Sequence, residues 1–379
     1  MDSENRVYRD LQKHLDRMPV GYPATESGVE IRILKHLFTP EEAKLAMQLS
    51  MVPEPIGRIY QRFKKRGASI EQLQQLIDRM VQKGTISVSK VGGEKRYGNA
   101  QFAIGMYELQ VDRLTKDFVT DFRQYFDETF YKEASRTRTP QLRTIPIEKS
   151  ITTPDKYQVS DYDSVRKIIE NVSGQIAAAN CVCRQTRDLE GKSCTVTDLR
   201  ETCLIFDSNL ADHYIQVGIG HPITKEKALN ILEKAQEAGL VLQPANSQLP
   251  GGICCCCGDC CGILLAVKKF PRPADFYATN YYAEVEPALC TGCQECMEKC
   301  QLGAPTIVNG VVTINLDRCI GCGNCVVVCS SQAIQLRKKE EETLPPKNSS
   351  ATYVKILSEK IGKWNLLKLG AKMLLRQKV

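Results

Sequence analysis

Cys290-Thr291-Gly292-Cys293-Gln294-Glu295-Cys296-Met297-Glu298-Lys299-Cys300 has a counterpart in Cys319-Ile320-Gly321-Cys322-Gly323-Asn324-Cys325-Val326-Val327-Val328-Cys329. Both stretches space their cysteines C-x2-C-x2-C-x3-C, about thirty residues apart. A cubane [4Fe–4S] cluster needs four thiolates aimed at one small volume. A tight C-x2-C-x2-C loop supplies three, and the fourth comes from the other half of a pair. One such run is compatible with chance or with zinc. The tandem repeat points instead to two [4Fe–4S] clusters, against zinc knuckles or a disulfide scaffold.

Around this repeat, residues 282–337 resemble the bacterial two-cluster ferredoxins. The resemblance rests on the Cys319–Cys325 loop and on Asn309-Gly310 between two short apolar runs. Asn-Gly adopts the positive φ angles of a tight type I′ turn, so these runs are predicted to form a hairpin. Carried over residue by residue, the resemblance implies crossed ligation. Cys290, Cys293, Cys296 and Cys329 hold one cluster, and Cys319, Cys322, Cys325 and Cys300 hold the other. The family has proline after the fourth cysteine, where this chain has Gln301 and Ser330. Proline restricts the backbone and removes an N–H donor, so the departure bears on redox potential.

A chain of 379 residues has room for two or three domains. Eighteen cysteines in a chain of this length, with a polar start at Met1-Asp2-Ser3-Glu4-Asn5-Arg6, indicate metal ligation rather than a secreted disulfide framework. No apolar run is long enough to span a bilayer. The expectation is a cytoplasmic protein of an anaerobic or microaerobic cell, with membrane association at the inner face left open. Residues 351–379 carry seven Lys or Arg against Glu359, which accounts for +6 of the chain's +7.

The expected fold class is α+β, in five stretches. Residues 1–100 comprise a polar lead-in of some 25 residues and a winged-helix-like domain. Its helices run through Ile31, Leu34 and Leu37-Phe38, from a capping box at Thr39-Pro40-Glu41-Glu42, and from a second box at Ser69-Ile70-Glu71-Gln72. A strand at 85–89, a turn at Gly92-Gly93 and a second strand follow. Residues 101–160 hold one long helix from about Ala103 to Glu133, with Val111, Leu114, Phe118, Phe122, Tyr125 and Phe130 along one packing face, and then an extended connector. Residues 161–270 form a cysteine-rich, mainly α domain, with helical sequence from Tyr162 to Ala179 and a helix opening at Thr224. Residues 271–338 are the ferredoxin module. Residues 339–379 are a linker and a basic amphipathic helix.

Ten cysteines lie outside the repeat: Cys181, Cys183, Cys194, Cys203 and the six from Cys254 to Cys261. Accessible thiols at this density oxidise unless they are committed to a partner. Adjacent side chains diverge, so the run at Cys254-Cys255-Cys256-Cys257 cannot serve one metal. Cys254, Cys256, Cys257, Cys260 and Cys261 are the better candidates, with Cys255 the spare. The combination of Cys181-Val182-Cys183-Arg184, the C-x-C-C-x2-C-C segment and a two-cluster ferredoxin resembles a group of proteins from anaerobic bacteria and archaea. That resemblance covers most of residues 25–337 and implies an iron–sulfur electron carrier. At least one further iron–sulfur cluster is expected from both segments, with structural zinc or a thiol-disulfide centre as alternatives. Arg184 could tune a neighbouring thiolate, and His213 and His221 could be ligands.

Neither a nucleotide fingerprint nor an acid–base constellation is present. The chain is therefore expected to relay single electrons for a separate redox partner or oxidoreductase subunit. A redox-responsive DNA-binding regulator and an oxidoreductase with an unusual middle cluster are the alternatives. The face of the candidate recognition helix is close to neutral, and Lys64-Lys65-Arg66 and Lys95-Arg96 add little, so nucleic acid is disfavoured. The tail places Val354, Leu357, Ile361, Trp364, Leu367, Ala371 and Leu374 at helical spacing among lysines. That pattern suits peripheral membrane contact or a partner's groove equally.

Overall fold

The computed structural model describes residues 3–64, 67, 69–151, 159–375 and 378. Lys65 and Arg66 of the basic run, residues 152–158 of the connector and the Leu374 side chain lie outside what is described. The chain divides into two compact units, the first formed by residues 1–138, 209–220 and 353–379 and the second by 139–208 and 221–352. Helix and strand are mixed throughout, as the α+β expectation holds.

The first unit opens with α1 (Ser3–Leu15), which corrects the expected polar lead-in. Tyr8, Leu11 and Leu15 carry its buried apolar stripe, with Gln12 buried beside them, and polar residues outnumber them. The Tyr8 hydroxyl donates to the Phe38 carbonyl (2.8 Å) and Gln12 Nε2 to the Tyr22 carbonyl (2.7 Å). Helices α2 (Val29–Leu37) and α3 (Pro40–Ala46) follow, the latter closed by the predicted Thr39–Glu42 box. A short strand β1 (Glu54–Pro55) leads to α4 (Ile56–Phe63) and α5 (Ile70–Gln82), which starts at the predicted Ser69–Gln72 box. Strands β2 (Ile86–Val91) and β3 (Glu94–Asn99) make a hairpin through Gly92 and Gly93, both at positive φ, and β1 adds outside β3.

The single long helix from Ala103 to Glu133 is not found. Backbone at Ala103 and Ile104 is extended, and Val111 leaves the helical region before Asp112 turns to φ 62°. Thr115 then caps a new helix, α6 (Lys116–Tyr125), by accepting the Phe118 N–H at 3.2 Å. A wider turn over Phe126–Phe130 and α7 (Tyr131–Ala134) complete the segment. The aromatic stripe, expected as a brace against another domain or subunit, packs within the first unit: Tyr107 stacks on Phe122 with centroids 3.9 Å apart, and Phe102, Tyr125 and Phe130 close around them.

The second unit corrects the mainly α expectation for residues 161–270. After α8 (Val165–Glu170) the chain forms β4 (Ile176–Asn180), α9 (Val182–Leu189) and β5 (Glu201–Ile205). The segment α10 (Ser208–Gln216) lies almost wholly in the first unit. There follow β6 (His221–Ile223), α11 (Lys225–Glu237) capped by Thr224, β7 (Val241–Pro244), β8 (Gly252–Cys256) and α12 (Gly262–Val267). The five strands form one antiparallel sheet in the order β6-β4-β5-β8-β7. Alanines 177–179 favour a helix intrinsically, but pairing with both β5 and β6 overrides that weak preference.

The remainder of this unit holds β9 (Tyr281–Val285), α13 (Glu295–Lys299), β10 (Pro305–Val308), β11 (Val311–Ile314), α14 (Asn324–Val327) and β12 (Ile334–Lys338). Strands β9 and β12 pair, and β10 and β11 form the predicted hairpin with Asn309 at φ 52° and Gly310 at φ 80°. The tail folds as two helices, α15 (Ser349–Ile361) and α16 (Lys363–Leu374), broken at Gly362. Among the described residues, no helix is long and apolar enough to cross a membrane.

Candidate metal centres

The sequence repeat is repeated in backbone shape. Gly292 (φ 69°) and Gly321 (φ 65°) stand between the first two cysteines of each run, and Gln294 (φ 70°) and Gly323 (φ 84°) precede α13 and α14. A Cβ on Gly321 would lie 2.2 Å from the Tyr281 carbonyl oxygen, and one on Gly292 would lie 2.5 Å from that of Gly310. Backbone N–H groups are aimed at sulfur in both halves: Val312 at Cys290 (3.4 Å), Ala283 at Cys319 (3.4 Å) and Ala304 at Cys300 (3.2 Å). Such donors favour the charged thiolate over the thiol.

Cys300, Cys319, Cys322 and Cys325 line one pocket, together with Leu302, Pro305, Ile314 and Ile320. Burial, then the charges of Cys322, Cys300 and Cys319, pushes Cys325 up. Burial, then Cys300, pushes Cys322 up to about 12. In the other set, burial raises Cys296, and the charges of Cys293, Cys329 and Cys290 add to it. Thiolates gathered this closely repel one another, and bound iron would reverse that penalty. The donor set, the N–H groups and the glycine cradles thus fit [4Fe–4S] clusters.

The ten other cysteines fall on two faces of the sheet. Successive side chains of a strand point to opposite sides, so Cys254 and Cys256 of β8 share one face while Cys255 takes the other. Cys203 of β5 lies directly across from Cys254. The thiols lie close enough to act on one another in a chain: Cys203 and Cys256 on Cys254, Cys256 and Cys183 on Cys261, and Cys181 on Cys183. These six form one connected set. Cys203 and Cys256 hold Cys254 well below the usual thiol range, and Cys183 and Cys256 do the same for Cys261. Cys256 and Cys261 pack with Leu264, Tyr277, Leu302 and Ile320, against which Cys254 and Cys322 also rest. The six-thiol set and the dicluster loops therefore share an apolar layer.

On the opposite face, Cys255 is buried among Leu204, Leu242 and Ile253. Cys194, Cys257, Asp259 and Cys260 meet there as a second group, with ligand atoms all within 4.8 Å of one another. Sequence reasoning misses Asp259, although its place in Cys257-Gly258-Asp259-Cys260 is a usable signal. Arg184 is fully buried and donates to Thr202 Oγ1 (2.6 Å) and the Cys255 carbonyl (3.1 Å). Burial opposes its charge, but Cys181, Cys257, Cys194 and Cys256 outweigh that and hold it above its ordinary value. His213 instead hydrogen-bonds the Val81 carbonyl (2.9 Å), and His221 pairs with Glu201 (3.3 Å); neither joins a cysteine group.

Gln301, where the resembled family has proline, is buried and tied to the cysteine-rich loop. Its Oε1 accepts the Gly258 N–H (2.6 Å), and its Nε2 donates to the Gly239 carbonyl (3.1 Å). Asn324 Nδ2 donates to that same carbonyl at 2.7 Å.

Residues 283–340 match the family model described as a 4Fe-4S dicluster domain, so the chain carries a ferredoxin-type 4Fe–4S dicluster domain. Over 48 residues it is 38% identical to a component of the ion-translocating oxidoreductase complex of Methanosarcina acetivorans, covering 13% of this chain and 18% of that protein. Over 106 residues it is 30% identical to an uncharacterized ferredoxin of Methanocaldococcus jannaschii, covering 27% of this chain and 62% of the relative. The chain spans less than two thirds of the length of either relative. No solved structure matches.

Proposed function

We propose that this protein is a multi-centre iron–sulfur electron carrier serving a separate oxidoreductase. Cys290, Cys293, Cys296 and Cys329 hold one cluster of the dicluster module, and Cys319, Cys322, Cys325 and Cys300 hold the other. Cys181, Cys183, Cys203, Cys254, Cys256 and Cys261 supply the four thiolates of a further cluster from among them. The observation that carries this reading is the apolar layer shared by Cys256, Cys261 and Cys322, which brings the six-thiol set against the dicluster loops. The names of the two relatives, a ferredoxin and a component of an oxidoreductase complex, support the same role.

When bound, the clusters supply one-electron redox chemistry at potentials set by charge, burial and hydrogen bonds to sulfur. The chain's own part is to bury the sulfur atoms, aim the Ala283, Ala304 and Val312 N–H groups at them, and fix the spacing through Gln301 and Asn324.

The order of helices, short strand and hairpin in residues 29–99 supports a winged-helix-like module, which we read as a docking element. Three of its basic groups face carboxylates: Lys83 with Glu42 (2.6 Å), Arg79 with Glu41 (3.7 Å) and Lys90 with Asp212 (3.6 Å). Those three are partly neutralised as a phosphate footprint. The tail, with Trp364 81% exposed, is proposed to meet a membrane surface or partner.

The test is iron and acid-labile sulfide per chain after anaerobic purification, with EPR of the reduced protein. About twelve irons are expected, whereas about eight would confine the clusters to the dicluster module and remove the six-thiol centre. Zinc in place of iron in the dicluster module would overturn the proposal entirely.

A further inference from the structure

Among the described residues, Cys194, Cys257, Asp259 and Cys260 are the one group of three or more His, Cys, Asp or Glu side chains whose ligand atoms all lie within 4.8 Å. The eight dicluster cysteines provide an internal reference, because their two sets do not draw together that tightly. The difference has a geometric reason. A cubane takes each thiolate on a different iron, which spreads the sulfurs apart. Two thiolates on one tetrahedral ion, with metal–sulfur bonds of about 2.3 Å, stand only about 3.8 Å from each other. Cys194 Sγ lies 3.6 Å from Cys257 Sγ.

The fourth donor is presented for the same purpose. Asp259 Oδ2 accepts both the Thr195 N–H (2.7 Å) and the Thr195 hydroxyl (3.1 Å), which fixes the carboxylate and turns Oδ1 toward Cys194 (3.6 Å). Orientation of a ligating carboxylate by outer hydrogen bonds is a regular feature of metal sites. The surrounding charge also balances. Three thiolates and a carboxylate around a divalent ion leave a net of −2. Arg184, whose charge Cys257 and Cys194 favour, and Lys268, held to the Gly258 carbonyl at 2.7 Å and favoured by Asp259 and Cys257, are two cations beside it.

We propose that Cys194, Cys257, Cys260 and Asp259 bind a single tetrahedral divalent ion, zinc, in a structural site distinct from the iron–sulfur centres. It lies on the face of β8 opposite Cys254 and Cys256. Binding displaces the thiol protons of the three cysteines to solvent and ties Cys194 and Thr195 to the 257–260 turn they already touch. The site has four protein ligands and no open position, the pattern of a structural rather than a catalytic zinc. Its occupancy is independent of the number of clusters elsewhere.

The experiment is metal analysis of the full chain purified anaerobically, as wild type, Cys194→Ser and Asp259→Asn. About one zinc per chain is expected in the wild type, falling at least fivefold in Cys194→Ser, with iron and acid-labile sulfide unchanged in both variants. Because a variant could fail to fold, zinc in the wild type is also replaced by cobalt(II). Tetrahedral d–d bands with sulfur-to-cobalt charge transfer are expected, and Asp259→Asn shifts the d–d bands. A wild type without zinc overturns the proposal, as does one carrying an extra iron without matching sulfide. So does loss of iron and sulfide together in Cys194→Ser, which would make these residues cluster ligands.

Discussion

Removing one member of the buried ion pair Arg143–Asp163 is expected to cost the second unit far more than removing both. Arg143 Nη1 and Asp163 Oδ1 are 2.6 Å apart, and each side chain is only 1% exposed. Asp163 Oδ2 also accepts Asn280 Nδ2 (3.0 Å), and Asn280 in turn receives the Thr343 N–H (2.8 Å). The pair thus joins the connector, the start of α8 and the entry to the dicluster module. Burial lowers the Arg143 pKa, which Asp163 opposes, so deletion of Asp163 leaves a desolvated cation. Such one-sided deletions cost about 3–5 kcal/mol, whereas replacing both partners with apolar residues is often neutral. In a domain of 150–250 residues that corresponds to a fall in Tm of roughly 6–20 °C for Asp163→Leu. The assay is anaerobic guanidinium unfolding of Asp163→Leu, Arg143→Met and the double variant, followed by far-UV circular dichroism and by cluster absorbance. The double variant should recover at least half of the Asp163→Leu loss, with Asn280 accounting for what remains. If the double variant loses as much as the two singles together, the uncompensated charge is not what holds this corner, and the reasoning fails.

Gly321→Ala should bleach cluster absorbance, because φ 65° is strained for alanine and its Cβ meets the Tyr281 carbonyl. Gly310→Ala, at φ 80° in open space, should cost only about 1–2 kcal/mol and retain the clusters. Equal iron content in these two variants would contradict the cradle argument. Cys255→Ala should lower stability by about 1–2 kcal/mol through lost packing while keeping all iron, whereas Cys254→Ala should lose about four irons. Iron loss in Cys255→Ala would mean that the two faces of β8 are misassigned. Burial, then the charge of Lys378, holds the His14 pKa down to about 4. A histidine left neutral in the folded state favours unfolding once the unfolded chain protonates. Stability should therefore fall as pH drops from about 6.5 to 4, by about 3 kcal/mol in all. His14→Asn should flatten that part of the profile, and an unchanged slope would count against it. Trp364 emission should shift to the blue with anionic vesicles and not with neutral ones if the tail meets a membrane. No shift with either lipid leaves the partner groove.

The parts of the molecule legible in sequence are those specified by a few neighbouring residues. The boxes at Thr39 and Ser69 start α3 and α5, and Asn309-Gly310 turns the β10–β11 hairpin, because each needs only a local side chain or a positive φ. The stretch Ala103–Glu133 reads as one helix because an aromatic stripe carries no information on where hydrogen bonding stops. The cap at Thr115 does carry it. Helix α1 leaves a faint signature because three buried apolar residues and a buried Gln12 suffice to dock it. Ala177-Ala178-Ala179 reads as helix but folds as strand, because a strand with partners on both sides gains more from pairing than alanine loses.

The same distinction governs the metal centres. Eight cysteines of the dicluster module are close in sequence, so their spacing alone suggests a purpose. The other ten depend on topology. Cys203 meets Cys254 only because β5 and β8 are neighbours, and Cys194 meets Cys257 only on the far side of that sheet. Within Cys254-Cys255-Cys256-Cys257, the pleat sends consecutive thiols to opposite faces. A run that looks like one ligand cluster is thereby split between the six-thiol set, the core and the Asp259 group. Shifting β8 by one residue against β5 would exchange these assignments. The register of two strands thus decides which thiols can share an ion.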